Sequence, residues 1–197
     1  MACQDGNIKG EFMHPLKYLW AVRAIIYKLS FGKVGNMTYI GRPTYIEGRK
    51  KIYIGNRVRI FPGIRMEAIG NGRIKIGNNT AVEQNVHITS GGELKIGDDV
   101  TIVGNVCITN IDHQYDDINK SILDQEIKVI DTKIGDGCFI GFGAIIQAGT
   151  VLGKHCIVGA NAVVRGTFPD YSVIVGVPGR IVKRFDTKTE RWEKEIL

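Results

Sequence analysis

His113 stands in a run of side chains able to move protons: Asp112 beside it, Tyr115 two residues on, then Asp116 and Asp117. An imidazole titrates near neutral pH, so it can take the proton of an attacking hydroxyl, and a nearby carboxylate can hold it in that role. Acyl transfer from a thioester to a hydroxyl needs such a base, together with a donor for the developing oxyanion. The chain has no G-x-S-x-G elbow, so direct transfer fits better than a covalent acyl-enzyme. A solvated loop histidine is the competing reading of His113. The other histidines are weaker candidates: His14 precedes Pro15, and His87 and His155 fall at outward positions of short strands. Asn85 and Asn105 hold equivalent places in successive repeats. They form either a ladder of turn residues or, for Asn85, a contact to the acceptor.

The pattern around His113 says what must position it. From Ile134 the chain runs IGDGCF, IGFGAI, IQAGTV, LGKHCI, VGANAV, with Ile, Leu or Val at 134, 140, 146, 152 and 158, then at 164. Four places after each of the first five is a small residue: Cys138, Ala144, Thr150, Cys156, Ala162. The same register opens at Val34, Ile54, Ile76 and Ile96. Successive openings are 20, 22 and 20 residues apart, then 38 to Ile134 and 18 to Leu152. Each step is eighteen plus an insertion. Eighteen is three hexads, so one turn of a coil has three short strands and three corners, stacked in parallel about 4.8 Å apart. The leading aliphatic fills the interior, and Gly, Asn and Asp supply turn conformations at the corners. Cys138 and Cys156 fall in one stack and read as packing groups. A prism filled this way holds no interior cavity, so a site lies on the outside or between copies, on loops that leave the coil. The one large excursion, after Thr109 and before Ile134, carries His113.

Composition narrows the partners. The 197 residues suit one domain with short appendages, and 25 glycines spread through an Ile/Val-rich chain fit many short strands ended by turns. Net charge is +6, with Lys and Arg scattered singly apart from Arg49-Lys50-Lys51 and Arg180, Lys183 and Arg184. No RNA-binding aromatic motif or zinc-finger spacing accompanies them, so an anionic cofactor is expected rather than nucleic acid. Four cysteines without a C-x-x-C pair, and no secretory signal, fit reduced thiols in a cytoplasmic protein. The segment Leu16 to Leu29, broken by Lys17, Arg23 and Lys28, is too short to span a bilayer and reads as an amphipathic helix. It either caps the domain or lies on a membrane surface. The division expected is an N-terminal extension over 1–33, the coil over 34–180 and a helical tail over 181–197.

Together the hexads, the long loop with its histidine and the ending VIVGVPGRIVKRF resemble the hexapeptide-repeat O-acetyltransferases. The likeness runs over about residues 30–190 and includes VVRGTFPDYSVIVGVPGRIVK. The Arg191-Trp192-Glu193 tail is most similar to the lipopolysaccharide-biosynthesis branch, with the galactoside and maltose acetyltransferases also close. The expected fold is all-β: a left-handed parallel β-helix with a short N-terminal helix, one long loop at about 110–130 and a C-terminal helix, its hand coming from the resemblance alone. The resemblance implies acetyl-CoA as donor, a sugar or glycan hydroxyl as acceptor and no metal. It also implies a homotrimer with sites at subunit interfaces, where one subunit gives the histidine and its neighbour helps hold the pantetheine arm. Carried over by position, His113 matches the catalytic base and Asn85 an acceptor contact, with Asp112 and Tyr115 lining the same pocket. Donor contacts fall on Phe139, Gly141, Phe142, Ala160, Arg165, Gly166, Val177, Pro178, Arg180 and Lys183, the basic ones against the CoA phosphates. Phe139 stands where the sugar enzymes often carry Trp, and Phe142 where the galactoside enzymes carry a small polar residue. The Leu16–Leu29 segment replaces the helical cap of the maltose branch, so specificity for free mono- or disaccharides is not implied. Amine acetylation usually comes with a nucleotide-binding N-terminal domain, for which 1–33 is too short. A zinc carbonic anhydrase on a similar coil needs an H-x-x-x-x-H pair that is lacking here. A non-catalytic scaffold is the remaining alternative.

Overall fold

The computed structural model describes residues 15–195. Strands of two to four residues alternate inward and outward, so each leading aliphatic turns into the prism. The stack Ile40, Ile60, Val82, Ile102, Ile140, Val158 and Ile174 is fully buried, one residue per coil. Two further stacks complete the triangle and make one parallel β-solenoid. Its first sheet has seven parallel strands, its second seven parallel strands with two antiparallel ones added, and its third six.

The register carries the hexad pattern through every insertion. Leu94 pairs with Thr132 and Ile96 with Ile134, so the excursion is bridged without a slip. The small residue of each hexad fills a corner beside the next coil. Cys138 and Cys156 are buried there, donating to the carbonyls of Gly153 and Pro169 at 3.1 and 3.2 Å. In the earlier coils Val58, Val100, Val86 and Val106 do the same work, which is why the repeat reads as degenerate upstream.

The glycine after each aliphatic acts differently from expectation. Left-handed backbone is carried instead by corner residues such as Arg57, Asn79, Asn85, Asp99, Asn105 and Asn161. The glycines at 35, 55, 77, 97, 135 and 153 stack on one another with no room for a side chain. A Cβ on Gly55 would lie 2.7 Å from the carbonyl carbon of Gly77.

The helix α1 (Pro15–Tyr27) packs on the first coil. Ala24 is buried, Trp20 meets the rings of Tyr39 and Phe61 at 5.9 and 5.7 Å, and Arg23 donates to the Ile40 carbonyl at 2.9 Å. At the other end the expected C-terminal helix is absent from the described residues. Strands Arg180–Asp186 and Arg191–Lys194 form an antiparallel hairpin that pairs with Ser172–Val175 and prolongs the second sheet. The last coil would otherwise leave a bare row of backbone donors and acceptors, and the hairpin covers that edge. A ring ladder, His155 on Tyr171, then Phe185, then Trp192, holds it down with centroids 5.4–6.0 Å apart.

Candidate active site

The excursion is a second, smaller hairpin. After Thr109 the strands Ile111–His113 and Ile127–Val129 pair antiparallel, with Asp112 opposite Lys128 and His113 opposite Ile127. Its base is anchored by Asn110, which is fully buried. The Asn110 side-chain amide accepts from the Gly91 N–H at 2.8 Å and donates to Ser90 Oγ at 3.1 Å, while the Asn110 backbone carbonyl accepts from Ile130 N–H. A buried amide with each group satisfied fixes direction, because any other pose would strand a polar atom. Asn110 thus aims the hairpin, a role the sequence signals only as the first residue after the hexads stop. The tip is stitched by Gln125, whose side chain accepts from Asp117 N–H and donates to the carbonyls of Asp117 and Lys120.

His113 is exposed on this hairpin, and no carboxylate among the described residues reaches its ring. The neighbouring acids, expected to hold the imidazole, turn elsewhere. Asp112 accepts from the His113 backbone N–H at 3.0 Å and pairs with Arg165 at 3.2 Å. Asp117 pairs with Lys120. Tyr115 is largely exposed. An ion pair this exposed adds little stability, but it ties the His113 hairpin to a coil two steps further along.

The remaining expected site residues fall on the second sheet, on the two borders of the third and beyond its last coil. Asn85 lies on the entering corner, in a left-handed column with Gly63, Asn105, Gly143 and Asn161. A Cβ on Gly63 would run into the Asn85 side-chain oxygen, so the Asn column is a turn ladder, with the Asn85 side chain still exposed. Phe142 and Ala160 sit exposed on the same corner, one coil apart, beside the buried Gly141. Phe139 points outward from the second sheet, 38% exposed. Arg165 and Gly166 lie on the opposite border, past Val163–Val164, and space around Gly166 is open to 4 Å. Val177, Pro178, Arg180 and Lys183 are exposed where the closing hairpin begins. One chain therefore brings Asp112 to Arg165. It leaves the Asn85–Phe142–Ala160 corner and the His113 hairpin on opposite borders of one sheet, six residues or about 20 Å of extended chain apart.

The sheets differ in what they show outward. The first presents Lys33, Tyr53, Lys75, Lys95 and Lys133 in one row, a solvated face. Around the corner between the second and third sheets, Phe139, Phe142, Ile145 and Ile157 are all more than a third exposed. Among the described residues no group of three or more His, Cys, Asp or Glu side chains is arranged to hold a metal, and no helix is long and apolar enough to cross a membrane.

Comparison with known proteins agrees with this architecture. Residues 131–166 match the family model for bacterial transferase hexapeptide repeats. The chain is 32% identical over 166 residues to WbbJ of Escherichia coli (strain K12), assigned as a lipopolysaccharide-biosynthesis O-acetyl transferase, covering 81% of this chain and 85% of that one. It is 24% identical to the galactoside O-acetyltransferase of the same strain, over 92% and 78% of the two chains. Among solved structures, galactoside acetyltransferase in complex with coenzyme A superposes with a TM-score of 0.65 at 21% identity, over 93% of this chain and 78% of that one. AntD, an N-acyltransferase from Bacillus cereus in complex with dTDP and 3-hydroxybutyryl-CoA, gives 0.72 at 22% identity, over 85% and 90%. On the strength of the repeat, the side hairpin and the WbbJ match along most of both chains, the protein belongs to the hexapeptide-repeat acetyltransferases.

Proposed function

We propose that the protein moves an acetyl group from acetyl-CoA to a hydroxyl of a sugar or glycan intermediate of the surface-polysaccharide type, with His113 as general base. The observation that carries this reading is the placement of His113 on an anchored hairpin at the one long interruption of the solenoid. As the acceptor oxygen attacks the thioester carbonyl carbon, the His113 imidazole takes the hydroxyl proton. A C–O bond forms, the C–S bond breaks, and the imidazolium returns its proton to the departing CoA sulfur. No acyl-enzyme is needed.

The donor residues fit a CoA arm in kind. Ala160 and Gly166 leave backbone accessible on the two borders, with the buried Gly141 packed beneath Ala160, and Arg165, Arg180 and Lys183 offer exposed cations to its phosphates. Because His113 and the Phe142–Ala160 corner stand on opposite borders of a sheet, the site is read as completed between copies. The homotrimer sets the hairpin of one subunit against the corner of the next and buries the Phe139, Phe142, Ile145 and Ile157 patch. The coil is read as left-handed. Asn85, Asp112 and Tyr115 are assigned to the acceptor side. Acetyl-CoA as donor and free thiols fit the cytoplasm, and exposed apolar residues on α1 fit peripheral contact with a membrane.

The test is His113→Ala. Turnover, followed as free CoA thiol, falls about 10²- to 10⁴-fold, while calorimetric binding of acetyl-CoA persists. Unchanged turnover would remove His113 from the mechanism, and lack of acetyl-CoA binding by the wild type would leave a scaffold.

A further inference from the structure

Outward positions of the third sheet carry a polar panel that the mechanism above does not use. In one row, Tyr45 pairs in register with Arg65, and Arg65 with His87; two residues on, Glu47 is followed by Glu67 and Thr89. Glu67 is 8% exposed, and its carboxylate organises the rest. Arg65 donates to it twice, Nε at 2.8 Å and a terminal nitrogen at 2.9 Å. His87 Nε2 lies 3.0 Å from the same carboxylate, with Thr89 Oγ1 2.8 Å from that nitrogen and itself donating to Glu67. The Tyr45 hydroxyl donates to Glu47, and the Arg65 guanidinium lies 5.6 Å from the Tyr45 ring centre. The hydrogen bonds from Arg65, aided by His87, hold the Glu67 carboxyl down at about 2 against the opposing effect of burial. The carboxylate therefore stays ionised at neutral pH. With Nε2 turned to Glu67 and Thr89, Nδ1 is the ring nitrogen left for an outside partner.

Three side chains are presented outward by this arrangement: Tyr45, Arg65 and His87, each about half or two-fifths exposed. Long surface side chains ordinarily lose rotamer freedom when they bind. Here Glu67 behind Arg65 and His87, and Glu47 beside Tyr45, already hold these side chains, so that cost is reduced. An aromatic face, the remaining N–H donors of a guanidinium and a ring nitrogen match a neutral polyhydroxyl compound. Two carboxylates against one guanidinium disfavour phosphates and nucleic acid. The panel spans the coils of Glu47, Glu67, Thr89 and Thr109, three coil steps or about 14 Å, and ends at the Thr109 exit from which the His113 hairpin leaves.

We propose that this panel is a carbohydrate-binding surface that holds an extended glycan acceptor beyond its reacting sugar, with Tyr45 stacking on a ring and Arg65 and His87 binding hydroxyls. Glu67 is the positioning residue. The proposal rests on the sugar-acetylation reading and names its acceptor as an oligosaccharide.

The experiment uses the full chain with acetyl-CoA and two acceptor series, glucose- and galactose-terminated, of one to four neutral hexose units. In the wild type, kcat/KM rises about tenfold from one unit to three, the scale of an aromatic contact and a hydrogen bond together. In Tyr45→Ala and His87→Ala the gain shrinks to less than about twofold through KM, and Tyr45→Trp restores it. A wild type indifferent to acceptor length would overturn the proposal. So would variants that lose activity equally at every length, or that sediment as a different oligomer, which would make the panel a contact between copies. If no acceptor turns over, saturation-transfer NMR with the same oligosaccharides separates the two claims. Binding that disappears in His87→Ala keeps the panel while sinking the acetyl transfer, and no binding to the wild type sinks the panel.

Discussion

Single residues in this protein act through where the coil puts them. Glu67 has a carboxyl pKa of about 2, against an ordinary 4.5. Its contribution to stability is therefore complete above about pH 4.5 and is lost as pH falls towards 2. Glu67→Gln should lower the unfolding midpoint at pH 7 by roughly 2–6 °C, for the loss of a charged hydrogen-bond acceptor in a chain of this size. The gap to the wild type should close between pH 4.5 and 2, and an equal gap at both ends of that range would contradict the assignment. His113 is legible in the sequence because it stands at the break in a regular pattern. Glu67 and His87 are not legible in that way. Their contact requires the register Arg65 to His87 and Glu67 to Thr89, and an insertion at Gly70–Gly72 makes that step 22 rather than 18. Asn85 is legible as a stacked corner residue, and its left-handed backbone gives it a turn role beside the acceptor contact proposed for its exposed side chain.

At the scale of elements, the coil stack depends on approach as much as on turns. Gly77 has its neighbour's backbone where a Cβ would be, in a column of glycines that runs through six coils. Gly77→Ala is expected to destabilise the fold by about 1–3 kcal/mol, as overpacking does, measured by urea unfolding; a neutral result would show that the coils can part without cost. The hexad rule makes the solenoid readable from Ile, Val and Leu alone, since side-chain alternation leaves those positions no other place to go. The tail was not readable in the same way. Residues 187–195 are polar and rich in helix formers, yet Trp192 pairs with Phe185 across a hairpin. An open sheet edge, which no local pattern records, decides their conformation.

For the whole molecule, exposure is uneven. Helix α1 buries Ala24 but leaves Tyr18, Leu19, Val22, Ile25 and Ile26 more than half exposed, with Leu29 just beyond its end. Its first turn holds no acid, and Lys17 and Lys28 flank the stripe. Such a face suits anionic lipid. The full chain should co-sediment with vesicles containing phosphatidylglycerol and release at high salt, and Leu19→Asp with Ile26→Asp should abolish sedimentation. Equal binding by that double variant would assign the stripe to another role.

The one 38-residue step in a ladder whose other steps run from 16 to 22 residues has a consequence for how such proteins diversify. Closing a loop costs entropy that grows only with the logarithm of its length, about 0.6 kcal/mol for each doubling. The 20 residues that carry His113 therefore add roughly that much to the cost of one ordinary coil, and the ladder on either side meets in register as though they were absent. Changes of length in this loop therefore add little to its closure cost. The loop can vary in length while the coils on either side keep their register.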